Sequence, residues 1–473
     1  MKKQRYKNEA HENITIVDTA SDGFGIARIQ EKVIFVEQAI PGDVVDLVIY
    51  QEKKKFAQAR ISRIVTPSPY RITPACEHFG LCGGCKWQQM SYEGQLVFKE
   101  KQVYDALTRI GHLELPERAP IVAAPKTFAF RNKLEFTFTH NRWLTAEELA
   151  DPVVEKPLPG LGFHLPGRFD RILQVNRCHL MDDRMNEIRN TLYALVRDEK
   201  IPCYDIRGHQ GFLRTLTLRS TSLDQWMVLV QFGYRDEGLI ERVMSRLQIS
   251  FPWLTSLLYV INEKLNETLE GQEILVWSGE EQLVERFEQV EYLISAKSFF
   301  QTNSEQALRL YELTRDMAGL TGHETVYDLY TGTGSIALFV AGQAAKVVGV
   351  EYVADAVEDA KKNALRNGIT NCDFFAGDLK DLLNDAFLEQ HGKPDVIITD
   401  PPRAGMHPDV VAMLCRIAAP RIVYVSCNPA TQARDLDLMR EQYRLVKYCP
   451  VDMFPQTAHV ENIALLEYIG SNR

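Results

Sequence analysis

The sequence predicts a mixed α/β protein: a doubly wound parallel sheet in the C-terminal part, a small β-barrel at the N-terminus, and a central α+β region carrying a four-cysteine cluster. Three observations predict it. From residue 322 onward, strand-like and helix-like stretches alternate. Over residues 13–65, short β-rich runs are separated by glycine and proline turns. Between these regions, β runs mix with Pro/Gly-rich connections near 152–168. The length, 473 residues, exceeds one ordinary hydrophobic core and asks for two or three domains.

At the N-terminus, Ile14–Val17, Lys32–Val36, Val44–Ile49 and Ala59–Val65 read as strands, with turn signals at Asp22-Gly23-Phe24-Gly25 and Pro41-Gly42-Asp43. Strands this short and closely spaced suggest a five-stranded OB-like barrel. Lys53, Lys54 and Lys55, followed by Arg60 and Arg63, form either a basic edge or a solvated hairpin tip. Pro67, Pro69 and Pro74 mark a linker. Residues 91–112 then read as a helix, with Leu96, Val97, Val103, Leu107 and Ile110 apolar at near-helical spacing. Leu213–Leu218 is a β run of the central region. In the C-terminal region Thr325–Leu329, Lys346–Glu351, Cys372–Phe375, Asp395–Thr399 and Arg421–Ser426 are strand-like. The resulting limits are 1–66, 67–290 and 291–473, with helix 91–112 free to pack on the last of these.

Composition narrows the function classes. Hydrophobic residues at 45% and charged residues at 25% describe a folded chain rather than a disordered one. No run approaches the roughly 18 apolar residues of a membrane span, and the basic Met1–Arg5 is followed by no apolar signal core. A cytoplasmic location without a membrane partner is the default expectation, and nothing implies an obligate protein partner. The net charge of −9 gives no global attraction to nucleic acid, so such a partner requires local basic patches. Nine cysteines, an odd number, favour thiol or metal chemistry over a disulfide scaffold.

Asp328-Leu329-Tyr330-Thr331-Gly332-Thr333-Gly334 follows a strand and opens a helix, so Gly332 and Gly334 let backbone N–H groups approach a ligand. A G-x-G alone is weak evidence. Glu351 ends the next strand, placed to bind two ribose hydroxyls, and Asp378 ends the third, placed to orient an adenine. A serine follows the second glycine where a pyrophosphate site wants a third. A Rossmann-like site for a nucleoside without a diphosphate fits, and S-adenosylmethionine is that nucleoside.

Asp400-Pro401-Pro402-Arg403 closes the fourth strand. Enzymes that methylate exocyclic amines place an aromatic after Pro-Pro; Arg403 speaks against that chemistry and is a candidate substrate contact. Cys427, in Ser426-Cys427-Asn428-Pro429, ends the fifth strand at the same sheet edge. Carbon 5 of a pyrimidine is too weak a nucleophile to take a methyl group unaided. A thiolate adding at C6 makes C5 reactive, which gives a cysteine beside a methyl donor a chemical purpose. The C5 proton must then leave to a general base. His459 and Glu461 stand two apart in Phe454–Glu461, and spacing alone leaves the choice open.

These residues resemble the RNA uracil-C5 methyltransferases with an N-terminal TRAM domain, and the resemblance runs nearly end to end. Asp22–Arg28 with Ile40-Pro41-Gly42-Asp43 is similar to the TRAM signature. Ser298-Phe299-Phe300-Gln301-Thr302-Asn303 resembles the segment entering the methyltransferase domain. The resemblance implies that Gln301, Tyr330, Glu351 and Asp400 contact S-adenosylmethionine, that Cys427 is the nucleophile and that Glu461 is the base. It makes Phe299 the stacking candidate for a base flipped out of structured RNA. The chain departs from many members at Gln456, where they have histidine.

Cys76-x5-Cys82-x2-Cys85, with Cys178 downstream, has metal-ligand spacing that suits zinc or an iron–sulfur cluster. The family resemblance implies a [4Fe–4S] cluster on these four thiols, with a structural role. The expectation for the whole chain is formation of 5-methyluridine in RNA, foremost 23S ribosomal RNA, with transfer RNA second. A non-catalytic iron–sulfur RNA-binding protein and a cytosine-C5 methyltransferase are the readings from outside this chemistry.

Overall fold

The computed structural model describes residues 9–116, 119–152 and 156–470; the basic Met1–Arg5 lies outside them. The chain forms two compact units, one from residues 1–80, 84–127 and 401–473, the other from 81–83 and 128–400. This division cuts across the limits at 66/67 and 290/291 drawn from sequence.

The first unit opens with β1 (Glu9–Thr15), β2 (Asp18–Thr19), β3 (Gly25–Ile29), β4 (Lys32–Glu37), β5 (Val44–Glu52) and β6 (Phe56–Thr66). They form one six-stranded sheet in the order β1-β5-β6-β4-β3-β2, one strand more than the barrel expected. Alternation puts Ile34, Val36, Val45, Leu47, Ile49, Ala57 and Ala59 on the buried face. The turn between β2 and β3 needs glycine at Gly23 twice over. Its φ is +91°, and a Cβ there would lie 2.8 Å from Cβ of Lys86.

Helix α1 (Tyr92–Arg109) starts at Ser91, whose side chain caps the N–H of Gly94. Its buried face differs from the apolar stripe expected. Val97 and Ile110 are 40% and 43% exposed, while Gln95 and Lys99 are buried with Val103, Ala106 and Leu107. The reason is that both polar side chains have buried partners: Gln95 bonds Gln456, and Lys99 Nζ lies 2.5 Å from Asp452 Oδ1.

The second unit contains a central seven-stranded sheet. In chain order come β7 (Lys133–Thr139), α2 (Ala146–Ala150), β8 (Gly160–Leu165), β9 (Arg168–Gln174) and α3 (Asp183–Glu199). Then follow β10 (Leu213–Ser220), β11 (Trp226–Phe232), α4 (Glu237–Ser250), β12 (Ser256–Ile261) and β13 (Leu275–Gly279). The order is β13-β12-β11-β10-β7-β8-β9, and α3 and α4 share one core with it through Met185, Leu192, Val243 and Leu247.

A hairpin, β14 (Leu283–Phe287) and β15 (Val290–Ile294), leads to α5 (Ser304–Ala318). The parallel region follows: β16 (Thr325–Leu329), α6 (Ser335–Val340), β17 (Lys346–Glu351), α7 (Ala354–Arg366), β18 (Cys372–Ala376), α8 (Leu379–Leu382), α9 (Asp385–His391) and β19 (Val396–Thr399). The strands run β18-β17-β16-β19. Strands buried on both faces read as continuous apolar runs, and Val396-Ile397-Ile398-Thr399 is one.

The chain returns to the first unit with α10 (Pro408–Ile417), β20 (Arg421–Ser426), α11 (Pro429–Met439), β21 (Tyr443–Val451) and β22 (Glu461–Tyr468). β22 lies antiparallel between β20 and β21. Among the described residues no helix is long and apolar enough to cross a membrane.

Candidate active site

The sequence-derived residues fall in both units, and each set has its own geometry. In the second unit, strand register assembles the cofactor candidates. Leu329 pairs with Val350 on one side and with Thr399 on the other, so the next residues, Glu351, Tyr330 and Asp400, stand in a row at the carboxyl edge. Glu351 itself pairs with Ala376, two residues before Asp378.

The turn after β16 is built to expose backbone. Tyr330, Gly332 and Gly334 have φ of 62°, 56° and 78°. A Cβ added to Gly332 would meet nothing within 4 Å, so the turn borders open space. Glu351 accepts from the Gly332 N–H at 3.1 Å and from the Val353 N–H at 2.9 Å, which fixes its carboxylate beside that opening. Asp328 underpins the turn by accepting from Thr331 Oγ1 and the Ala337 N–H. Burial pushes its carboxyl up to about 7 despite those bonds. Burial, with the Asp328 charge second, raises Asp400 to about 7 as well. Asp378 caps α8 through the Lys380 N–H and pairs with the Lys380 ammonium at 3.3 Å. These groups, an open glycine turn and a row of acids, fit the ribose and adenine of a bound nucleoside.

Beside them, residues 295–304 are gripped from the central sheet. Buried Arg219 donates to the carbonyls of Ser295 and Ser298, and Asn132 donates to the Gln301 carbonyl. Ser298 bonds Asp359 of α7 at 3.0 Å. Phe299 is held 75% exposed between these anchors, and Gln301 is half-buried. Neither Arg219 nor Asn132 was legible as a site residue. An arginine at the end of the β run Leu213–Ser220 was the available signal.

In the first unit, Ser426 of β20 pairs with Asn462 of β22. Cys427 therefore follows, and Glu461 precedes, one paired position, which makes them neighbours at that strand end. Glu461 is 5% exposed and Cys427 half-buried. Cys427 sits just before Asn428, which caps α11, with Pro429 at the first helical position. The thiol thus stands at the partially positive end of that helix.

Arg403 shares this corner. Its carbonyl accepts from Asn428 Nδ2 at 3.0 Å and from Thr431 Oγ1 at 3.2 Å, and its exposed guanidinium lies 3.5 Å from His459 Nε2. His459 therefore faces Arg403, while Glu461 is in register beside Cys427.

The four cluster cysteines divide between the units. Gln88 links two of them, accepting from the Cys76 N–H at 3.1 Å and donating to Cys85 Sγ at 3.2 Å. Cys82 and Cys178 belong to the other unit, where Asn186 holds the Cys178 backbone. Among the described residues no group of three or more His, Cys, Asp or Glu is placed to hold a metal ion.

Residues 278–469 match the family described as tRNA (Uracil-5-)-methyltransferase. Residues 13–70 match the TRAM domain of tRNA (uracil(54)-C(5))-methyltransferase. A protein of Porphyromonas gingivalis named an uncharacterized RNA methyltransferase is 51% identical, covering 95% of this chain and 98% of its own. One of the same description from Bacteroides thetaiotaomicron is 49% identical, covering 95% and 99%. The crystal structure of a Pyrococcus abyssi tRNA (uracil-54, C5)-methyltransferase with S-adenosyl-L-homocysteine superposes with a TM-score of 0.72, at 28% identity, over 96% of this chain and 99% of that one. The chain belongs to the RNA uracil-C5 methyltransferase family, S-adenosylmethionine-dependent enzymes that here carry an N-terminal TRAM domain.

Proposed function

We propose that this enzyme converts uridine to 5-methyluridine in 23S ribosomal RNA, with Cys427 as nucleophile and Glu461 as base. The observation that carries the reading is the Ser426–Asn462 pairing, which brings those two side chains to one strand end. Cys427 Sγ bonds to C6 of the uracil, and the electron pair released onto the ring makes C5 nucleophilic. Bound S-adenosylmethionine supplies the electrophilic methyl group that C5 takes. Glu461 then removes the C5 proton, the C5–C6 double bond re-forms, and the C6–S bond breaks to free Cys427.

In this reading Gln301, Tyr330, Gly332, Glu351, Asp378 and Asp400 hold the cofactor, Phe299 stacks on the flipped base and Arg403 contacts the RNA. Residues 1–66 act as the RNA-gripping TRAM domain in the cytoplasm, 67–290 as the central domain and 291–473 as the catalytic domain. Cys76, Cys82, Cys85 and Cys178 are assigned to a structural [4Fe–4S] cluster, with zinc as the alternative. That assignment rests on spacing and resemblance, and no step passes through it. Iron, sulfide and zinc analysis of anaerobically purified protein tests it: absence of all three removes it.

Transfer RNA is the second reading, favoured by the likeness to the Pyrococcus abyssi tRNA enzyme. The experiment is to incubate the enzyme and S-adenosylmethionine with unmodified 23S ribosomal and transfer RNA transcripts, then quantify 5-methyluridine in digests. Product from the ribosomal transcript alone supports the proposal, and product from transfer RNA alone replaces it with the second reading. Product from neither overturns both.

A further inference from the structure

The loop Asp452–Val460 joins β21 to β22, and its flanking residues, Val451 and Glu461, are paired. Whatever fixes this loop fixes the first residue of β22. Residues 86–127 supply several buried hydrogen bonds to this loop. Lys99 Nζ meets Asp452 Oδ1 at 2.5 Å and the Phe454 carbonyl at 3.0 Å. The Asp452 N–H donates to the Val122 carbonyl. Lys99 and Asp452 side chains are both fully buried.

Gln456 is held still more completely. Its N–H donates to Gln95 Oε1 at 2.8 Å, and its Oε1 accepts from Gln95 Nε2 at 3.0 Å. Its carbonyl accepts from the N–H groups of Lys86 and Trp87, and its own amide donates to the Thr127 carbonyl. Every polar group of residue 456 is engaged, and the backbone there is left-handed with φ 68°. A non-glycine residue keeps that conformation only where its surroundings impose it.

Compactness alone does not require this. Apolar side chains of similar volume often replace a buried ion pair at little cost in stability. What buried hydrogen bonds add is direction, since each fixes a loop atom at a set distance and angle. Proton removal demands such placement.

We infer that Gln95 and Lys99 of α1 are positioning residues that, through Gln456 and Asp452, set Glu461 against Cys427 for proton removal. This rests on the reading of Glu461 as base. Adduct formation and methyl transfer do not need that carboxylate in place. A loosened clamp therefore slows only the last step, and the methylated protein–RNA adduct accumulates.

The test uses Gln95→Ala in the full chain with S-adenosylmethionine and whichever transcript the wild type methylates, beside Glu461→Gln. Denaturing gels measure the covalent adduct, and tritium release from C5 measures completed turnover. Gln95→Ala is expected to melt cooperatively, to form adduct within about threefold of the wild-type rate, and to release tritium roughly 10- to 100-fold more slowly. If it releases tritium at the wild-type rate, or if adduct formation and release fall together without accumulation, the inference is overturned. If Gln95→Ala does not fold, Lys99→Met/Asp452→Leu takes its place with the same two readings. If Glu461→Gln accumulates no adduct yet turns over, the base assignment fails and this inference falls with it.

Discussion

Cys427 and Glu461 are neighbours at one strand end, although they are 34 positions apart in the chain, because Ser426 and Asn462 pair across β20 and β22. The thiol stands before the N-terminus of α11, and the carboxylate begins β22. The proposed nucleophile and proton acceptor are thereby held at the same end of one hydrogen-bonded ladder.

Replacing the thiol separates chemistry from folding. Cys427→Ala is expected to lower turnover roughly 10⁴-fold or more and to abolish the covalent adduct. The residue is half-buried and outside the strand ladder, so stability should change by less than about 1 kcal/mol. Turnover assays with a urea melt check both parts.

Glu461→Gln keeps the shape and removes the proposed base. The variant should form the methylated adduct and fail to release it, so that a denaturing gel shows a shifted protein band carrying the methyl group that S-adenosylmethionine supplies. A variant that shows no shifted band and releases tritium at the wild-type rate would contradict the assignment of Glu461.

The buried acids under the cofactor turn make stability depend on pH. Asp328 titrates at about 7 in the fold, against roughly 3.9 when unfolded. The folded state therefore holds more protons between those values, and stability falls as pH rises through 7. Asp400 is raised to the same value and adds to the trend. From pH 5 to 8 the melting temperature of the wild type should drop by about 3 °C or more relative to Asp328→Asn. Parallel pH profiles for the two proteins would contradict this.

The Lys99–Asp452 pair gives a stability cycle. Lys99→Met leaves a carboxylate buried without its cation and should cost about 3–5 kcal/mol in denaturant unfolding. Lys99→Met/Asp452→Leu should recover most of that loss, since neither charge remains. A double variant as unstable as the single one would show that the pair is not what stabilises this contact.

Much of this was legible in the chain. Thr325–Leu329, Lys346–Glu351 and Arg421–Ser426 are strands at the expected limits, each bounded on one side by acid or proline, at Glu324, Glu351 and Pro420. The row formed by Tyr330, Glu351 and Asp400 follows from parallel register alone. The face of α1 was not legible: Gln95 and Lys99 look solvent-facing until Gln456 and Asp452, more than 350 positions away, are brought against them. The grip of Arg219 and Asn132 on residues 295–304 was hidden for the same reason, since its acceptors are backbone carbonyls, which carry no sequence signal.

The most direct measurement uses transcripts tritiated at uracil C5, with tritium in water and methyl groups in RNA counted together. One tritium released for each methyl transferred, with none released without S-adenosylmethionine, is the predicted result. Methyl transfer that leaves the C5 tritium in the RNA would contradict the account, because the methyl group would then be elsewhere and neither Cys427 nor Glu461 would have the work assigned to it.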